Sequence, residues 1–171
     1  MRACFLIPPP ALNRKGIPID RVYGCNYGFD YKPAIHFLQV ASYAQEVLGW
    51  DVRFMDCPAE KIELDAFLSD IPDWEFDVVL CWSTYLSAVE DLAACRHIHS
   101  HHPDTRFVFM GTAPTWKPEE FHVNDQTWML LGEPEHTLRD LSEIWSGDRK
   151  QDGTPGLGWF VGPNQIERGG F

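Results

Sequence analysis

The chain has 171 residues, 44% hydrophobic and 13% aromatic, which is enough to bury one core and make one domain with a short tail. Its 14 Lys and Arg against 25 Asp and Glu give a net charge of −11, which argues against nonspecific nucleic-acid or anionic-membrane binding, since both need clustered cations. The first apolar run, 3–7, meets Pro8, Pro9 and Pro10 and is too short for a signal peptide or a membrane span, so a cytoplasmic protein is expected.

Strands are predicted at 3–7, 51–55, 76–82, 106–110 and 128–131. Helical patterns separate them and hairpin signals are scarce, the signature of βαβ units and a parallel sheet covered on both faces. The expected fold is therefore α/β, a doubly wound, Rossmann-like parallel sheet of about five strands.

Between the first strand and Lys32 runs a loop of about 25 residues rich in Gly, Tyr, Asn and Pro, and long loops of that kind are usually functional. A helix starts at Pro33, carries Phe37, Leu38, Ala41, Ala44 and Leu48 on one stripe and closes at Gly49. A weaker helix with Leu64, Phe67 and Leu68 falls between Glu60 and Trp74. The next runs from about Ser87, with Val89, Leu92, Ala93 and Cys95 inward, and the last follows Pro134 with Leu138, Leu141, Ile144 and Trp145 inward and frays near Gly147. The Gly- and Pro-rich tail 147–171 reads as a linker or an added hairpin after a domain spanning 1–146, and its ending suggests one domain of a longer protein. The cysteines at 4, 25, 57, 81 and 95 fit neither a disulfide framework nor a local metal knuckle and are expected to be reduced core residues.

Three turns carry candidate chemistry. Ser83, Thr84 and Tyr85 end the third strand with hydroxyls that donate to a ligand while Ser87 caps the next helix; helix capping alone is the competing account. At Gly111-Thr112-Ala113 a position without a side chain lets a flat ligand approach the backbone, or simply makes a strand-to-helix turn. Gly132-Glu133-Pro134 places carboxylates at a helix start, where the macrodipole favours them. Trp82, Trp116 and Trp128, near strand ends, either stack on a planar ligand or fill the core. His97 and His101 have the i, i+4 spacing of a metal pair, but with His99 and His102 they end a helix before Pro103, so a solvated helix terminus is preferred. P-loop, Gly-x-Gly-x-x-Gly, Gly-x-Ser-x-Gly and Cys-x-x-Cys signatures are absent from the sequence.

Leu6-Ile7-Pro8-Pro9-Pro10, the helix 33–48, Gly49-Trp50-Asp51-Val52 and the turns Gly111-Thr112-Ala113-Pro114-Thr115 and Gly132-Glu133-Pro134-Glu135 together resemble the N-terminal cobalamin (B12)-binding domain of B12-dependent radical SAM proteins. Pro155-Gly156-Leu157 resembles the hairpin that leads toward the radical SAM barrel. The resemblance covers roughly residues 2–146 and implies cobalamin lying across the carboxyl ends of the strands. By matching positions it implicates Ser83, Thr84 and Tyr85, Gly111, Thr112 and Ala113, and Gly132, Glu133 and Pro134, with Pro9 and Pro10 after the first strand. Tyr85 stands where the family's Ser-x-Leu loop has leucine, and Thr112 where its Gly-Gly turn has glycine.

Asp-x-His-x-x-Gly does not occur, and His36, the first histidine after strand one, falls in a helix, so the resemblance implies base-off cobalamin without a histidine below cobalt. Tyr23, Asn26 and Tyr27 of the long loop would cover the lower corrin face. Cys-x-x-x-Cys-x-x-Cys is also absent, so a [4Fe–4S] cluster and S-adenosylmethionine would belong to a radical SAM domain supplied in cis or in trans. The alternatives are a cofactor-free docking or substrate-recognition module of the same fold, and a freestanding flavodoxin- or receiver-like protein.

Overall fold

Five short strands, β1 (Arg2–Ile7), β2 (Asp51–Asp56), β3 (Val78–Trp82), β4 (Arg106–Met110) and β5 (Thr127–Leu130), lie parallel in the order β2-β1-β3-β4-β5. This is a computed structural model, and it describes residues 1–10, 34–162 and 165–170. Tyr23, Asn26 and Tyr27 lie outside the described residues.

β1, β3, β4 and β5 are apolar on successive residues because both faces of the sheet are covered. Alternate side chains sort to opposite sides. Ala3, Phe5, Ile7, Leu80, Val108 and Leu130 pack under α1 (Ile35–Glu46) and α6 (Pro134–Ser146). Cys4, Leu6, Val79, Cys81, Phe107, Phe109 and Met129 face α3 (Leu64–Asp70), α4 (Ala88–His101) and α5 (Thr112–Trp116), with α2 (Cys57–Glu60) beyond β2. The chain leaves β1 in one direction through α1 and returns beyond it through α3, so the strand order reverses between β1 and β3. In doubly wound sheets ligands bind outside the carboxyl ends near such a reversal.

The tail 147–162 and 165–170 forms a hairpin. β6 (Leu157–Gly162) runs antiparallel to β5, and β7 (Gln165–Arg168) antiparallel to β6, which makes the sheet seven-stranded and mixed. The five parallel strands stand as expected, and the two further ones come from this hairpin. Gly156 anchors it. At φ +70°, a Cβ there would meet Thr137 Oγ1 at 2.7 Å and the Leu131 carbonyl at 2.8 Å.

The helices show where periodicity misled. In α1, Phe37, Ala41 and Ala44 are buried as expected, but Val40 completes the stripe and Leu38 faces out. In α4 the inward residues are Asp91, Ala94, Cys95 and Ile98, whereas Val89 and Ala93 are exposed. The reason is a carboxylate. Fully buried Asp91 accepts a hydrogen bond from Ser83 Oγ at 2.8 Å, and this turns the helix onto a face that hydrophobicity alone would not select. α6 behaves as expected: Leu138 and Leu141 are buried, each contributing about 2 kcal/mol. Gly147, in the left-handed region at φ +85°, closes it by donating to the Glu143 and Ile144 carbonyls.

No helix among the described residues is long and apolar enough to cross a membrane. Cys4, Cys57, Cys81 and Cys95 are buried in the core, Cys25 lies outside the described residues, and burial pushes the Cys4 thiol far above its ordinary value. Of the four helix-end histidines, His97 and His101 keep their rings together, centroids 4.7 Å apart, and the other two point elsewhere. His101 Nδ1 and the His97 carbonyl are 3.1 Å apart, His99 lies edge-on to Phe107, and His102 Nε2 meets the Ile71 carbonyl at 2.7 Å.

Candidate ligand-binding site

A cavity of about 330 Å³ opens at the carboxyl ends of β3, β4 and β5. Trp82, Met110 and Leu130 form its floor, Gly111 and Thr112 with Thr115 and Trp116 one wall, and Gly132 to Glu135 the other. His36, from the first turn of α1, closes it. Five of the sequence-predicted residues, Gly111, Thr112, Gly132, Glu133 and Pro134, therefore meet in one cleft. Ala113 is buried beneath it, on the α5 face of the core. Pro9 is buried and Pro10 half-buried just past β1.

The two glycine turns differ in kind. Gly111 has φ +110°, and a Cβ there would collide with the Trp82 indole and the Ser83 carbonyl. Its missing side chain makes room for the protein's own neighbours, which replaces the expectation that it makes room for a ligand. Gly132 has φ +83° and open space where a Cβ would sit, so its bare backbone faces the cleft. Carbonyl groups of these turns are partly used: Thr115 Oγ1 donates to Gly111 O at 2.8 Å, and Thr137 Oγ1 to Glu133 O at 3.4 Å.

The turn after β3 is organised around itself. Ser83 is fully buried with its hydroxyl on Asp91, and Ser87 Oγ accepts from the Thr84 backbone N–H at 3.2 Å and sits 3.1 Å from Thr84 Oγ1. Ser87 thus occupies the N-cap position without capping: its side chain closes the preceding turn and makes no bond to the first turn of α4. Tyr85 and Leu86 project outward, and with Val89 and Trp116 they are exposed apolar side chains at this end of the molecule. Lys117, beside Glu120 and within the field of Tyr85, is held above the usual ammonium range, chiefly by its hydrogen bond to Glu120.

The expected aromatic roles divide. Trp128 is core, donating to Gln151 and standing edge-on to Trp145 at 5.3 Å. Trp82 and Trp116 line the cleft, the latter 73% exposed. His36 lies edge-on to Trp82 at 6.4 Å. Its place in the cleft is not legible in sequence, because it depends on where α1 is docked; its being the first histidine after strand one is the available signal.

The ionisable groups on the cleft are Glu133, Glu135 and His36, with no Lys or Arg among its described lining residues. Glu133 occupies the N-cap of α6 and Pro134 removes one of the donors there. A cleft so built suits an uncharged or cationic ligand carrying amide donors better than a phosphate.

Fold and cleft define a Rossmann-like α/β domain with an open cleft at its strand ends. Its fold recurs in solved structures of cobalamin-dependent radical enzymes. Similar chains include the cobalamin-dependent S-adenosylmethionine radical enzyme OxsB with aqua-cobalamin and S-adenosylmethionine bound, at TM-score 0.69 and 17% identity over 85% of this chain and 20% of that one. The radical S-adenosylmethionine methyltransferase TsrM from Kitasatospora setae, with tryptophan substrate and a SAM analogue bound, gives TM-score 0.69 and 17% identity over 99% of this chain and 30% of that one. The chain thus spans less than a third of the length of either. No protein-family model matches the sequence, and no curated protein does.

Proposed function

We propose that this chain is the cobalamin-binding domain of a B12-dependent radical SAM enzyme of the methyltransferase or cyclase type. The observation that carries the reading is the cleft at the ends of three adjacent parallel strands, walled by the Gly111-Thr112 and Gly132-Glu133 turns. The fold shared with OxsB and TsrM supports it. Bound cobalamin would supply a cobalt centre for methyl-group or radical chemistry. The bare backbone of Gly132 admits a flat ring edge, Glu133 and Glu135 accept hydrogen bonds from its peripheral amides, and Trp116 covers its apolar rim. Pro9, Pro10, Ser83, Thr84, Tyr85 and Ala113 border or support that surface, and Tyr23, Asn26 and Tyr27 would cover the lower face of the ring.

In this reading cobalamin is held base-off with no histidine on cobalt. The [4Fe–4S] cluster and S-adenosylmethionine belong to a radical SAM domain in cis or in trans, residues 147–171 lead toward it, and the protein works in the cytoplasm.

The test is to incubate the purified chain with hydroxocobalamin, remove free cofactor by gel filtration and record the visible spectrum. Near-stoichiometric, blue-shifted absorbance is expected, lost in Gly132→Trp. A colourless fraction from folded wild-type protein would refute the reading in favour of a cofactor-free docking module, which the exposed Tyr85, Leu86, Val89 and Trp116 would then serve. The electron paramagnetic resonance spectrum of the bound cob(II)alamin state tests the lower face. No nitrogen splitting is expected, and a nitrogen triplet lost in His36→Ala would identify His36 as a ligand.

A further inference from the structure

We infer that His97 and His101 form a two-imidazole chelate for a divalent first-row transition metal, copper(II) above the others, at the end of the molecule opposite the cleft. The two residues stand four positions apart on one face of α4, which ends at His101. α4 leads into the start of β4, so its last turn lies beside the amino ends of the strands, whereas the cleft opens at their carboxyl ends.

Three observations carry the assignment. The first is the ring separation. A metal–nitrogen bond of about 2.0–2.1 Å puts an imidazole centre about 3.2 Å from the metal, and two rings bound side by side at about 90–110° then have centres about 4.5–5.2 Å apart. The His97 and His101 centroids are 4.7 Å apart, with their planes at 50°. The second is the tautomer of His101. Its Nδ1 lies 3.1 Å from the His97 carbonyl and 3.2 Å from Ser100 Oγ, which itself donates to that carbonyl at 2.7 Å. A carbonyl only accepts, so Nδ1 carries the proton and Nε2 keeps its lone pair for a metal. An Nδ1–H held by a backbone carbonyl is the support that metal-bound imidazoles commonly use. The third is the field: the pair ends a 14-residue helix, where the dipole favours a cation, in a chain of net charge −11.

The neighbouring histidines are held elsewhere, His99 edge-on to Phe107 and His102 through Nε2 to the Ile71 carbonyl. No group of three or more His, Cys, Asp and Glu is placed to hold a metal among the described residues, so water completes the coordination of the ion. His97 is half-buried and His101 exposed, which leaves that water access. Two neutral nitrogens with open positions make an exchangeable site, and copper(II) stands highest in the affinity order of such ions.

The experiment titrates the full chain with copper(II) chloride by calorimetry at neutral pH, beside His97→Ala, His101→Ala and His99→Ala. One ion per chain is expected to bind, weakened at least about tenfold by either of the first two substitutions and less than about threefold by the third. The electron paramagnetic resonance spectrum of the copper-loaded wild type should show coupling to two imidazole nitrogens, reduced to one in His97→Ala and in His101→Ala. Unchanged affinity in either variant would overturn the inference and move the ion to another histidine or to the amino terminus. Absence of saturable binding, or a wild-type spectrum without two nitrogen couplings, would overturn it as well.

Discussion

The turns after β4 and β5 read alike in sequence, each an apolar strand ending in glycine before a helix, yet the structure uses the two glycines for opposite purposes. Gly111 is enclosed by Trp82 and Ser83, so its lack of a side chain is a packing requirement. Gly132 is surrounded by open space, so its lack of a side chain leaves a surface. A positive φ at both, +110° and +83°, explains why glycine stands at each and does not say which one a ligand would meet. The surroundings decide that.

The contrast can be broken by substitution. Gly111→Ala should be the most damaging change, because the added methyl collides with the indole and a backbone carbonyl in a disfavoured backbone region; a loss of about 3 kcal/mol or more is expected in urea unfolding. A loss below about 1 kcal/mol would show that Trp82 swings away and that the space beside Gly111 is open after all. For the same reason Gly111→Trp is expected not to fold, which leaves Gly132→Trp as the informative binding variant.

Next in size is Ser83→Ala, which removes the hydrogen bond that Ser83 donates to buried Asp91 and should cost about 2 kcal/mol, with corrinoid affinity unchanged. An affinity loss without a stability loss would return Ser83 to the ligand. Gly132→Ala, with room for its methyl but an unfavourable φ, should cost only about 1 kcal/mol by the same unfolding measurement. The smallest effect is expected for Trp116→Ala, whose side chain is 73% exposed: within about 0.5 kcal/mol in stability, but weaker in hydroxocobalamin retention. Unchanged retention would remove Trp116 from the binding surface.

Much of the architecture was legible because it follows from periodicity. Apolar strands of four to six residues, separated by helical stripes such as Phe37, Ala41 and Ala44, leave few packings other than a parallel sheet with helices on both faces. The site was legible only in outline. Gly111, Thr112, Gly132, Glu133 and Pro134 do share a cleft, because strand ends on one edge of a parallel sheet are neighbours by topology. The sequence offers the Ser83 hydroxyl to a ligand and Ser87 as a helix cap, since it cannot show that Asp91 turns inward to accept from Ser83 and that the Thr84 amide donates to Ser87. His36 was discounted for lying in a helix, whereas the docking of α1 brings its ring to the cleft beside Trp82.

The sequence by itself determined the five parallel strands and the turns where backbone is bare, because local pattern and the freedom of glycine to take a positive φ are properties of a few neighbouring residues. Only the tertiary structure decided which bare turn faces a ligand, which serine is spent on a buried carboxylate, and that the glycine-rich tail joins the sheet through Gly156 packed on Thr137. Those outcomes depend on contacts between residues far apart in the chain, and each is settled by whether a few cubic ångströms are filled by protein or left open.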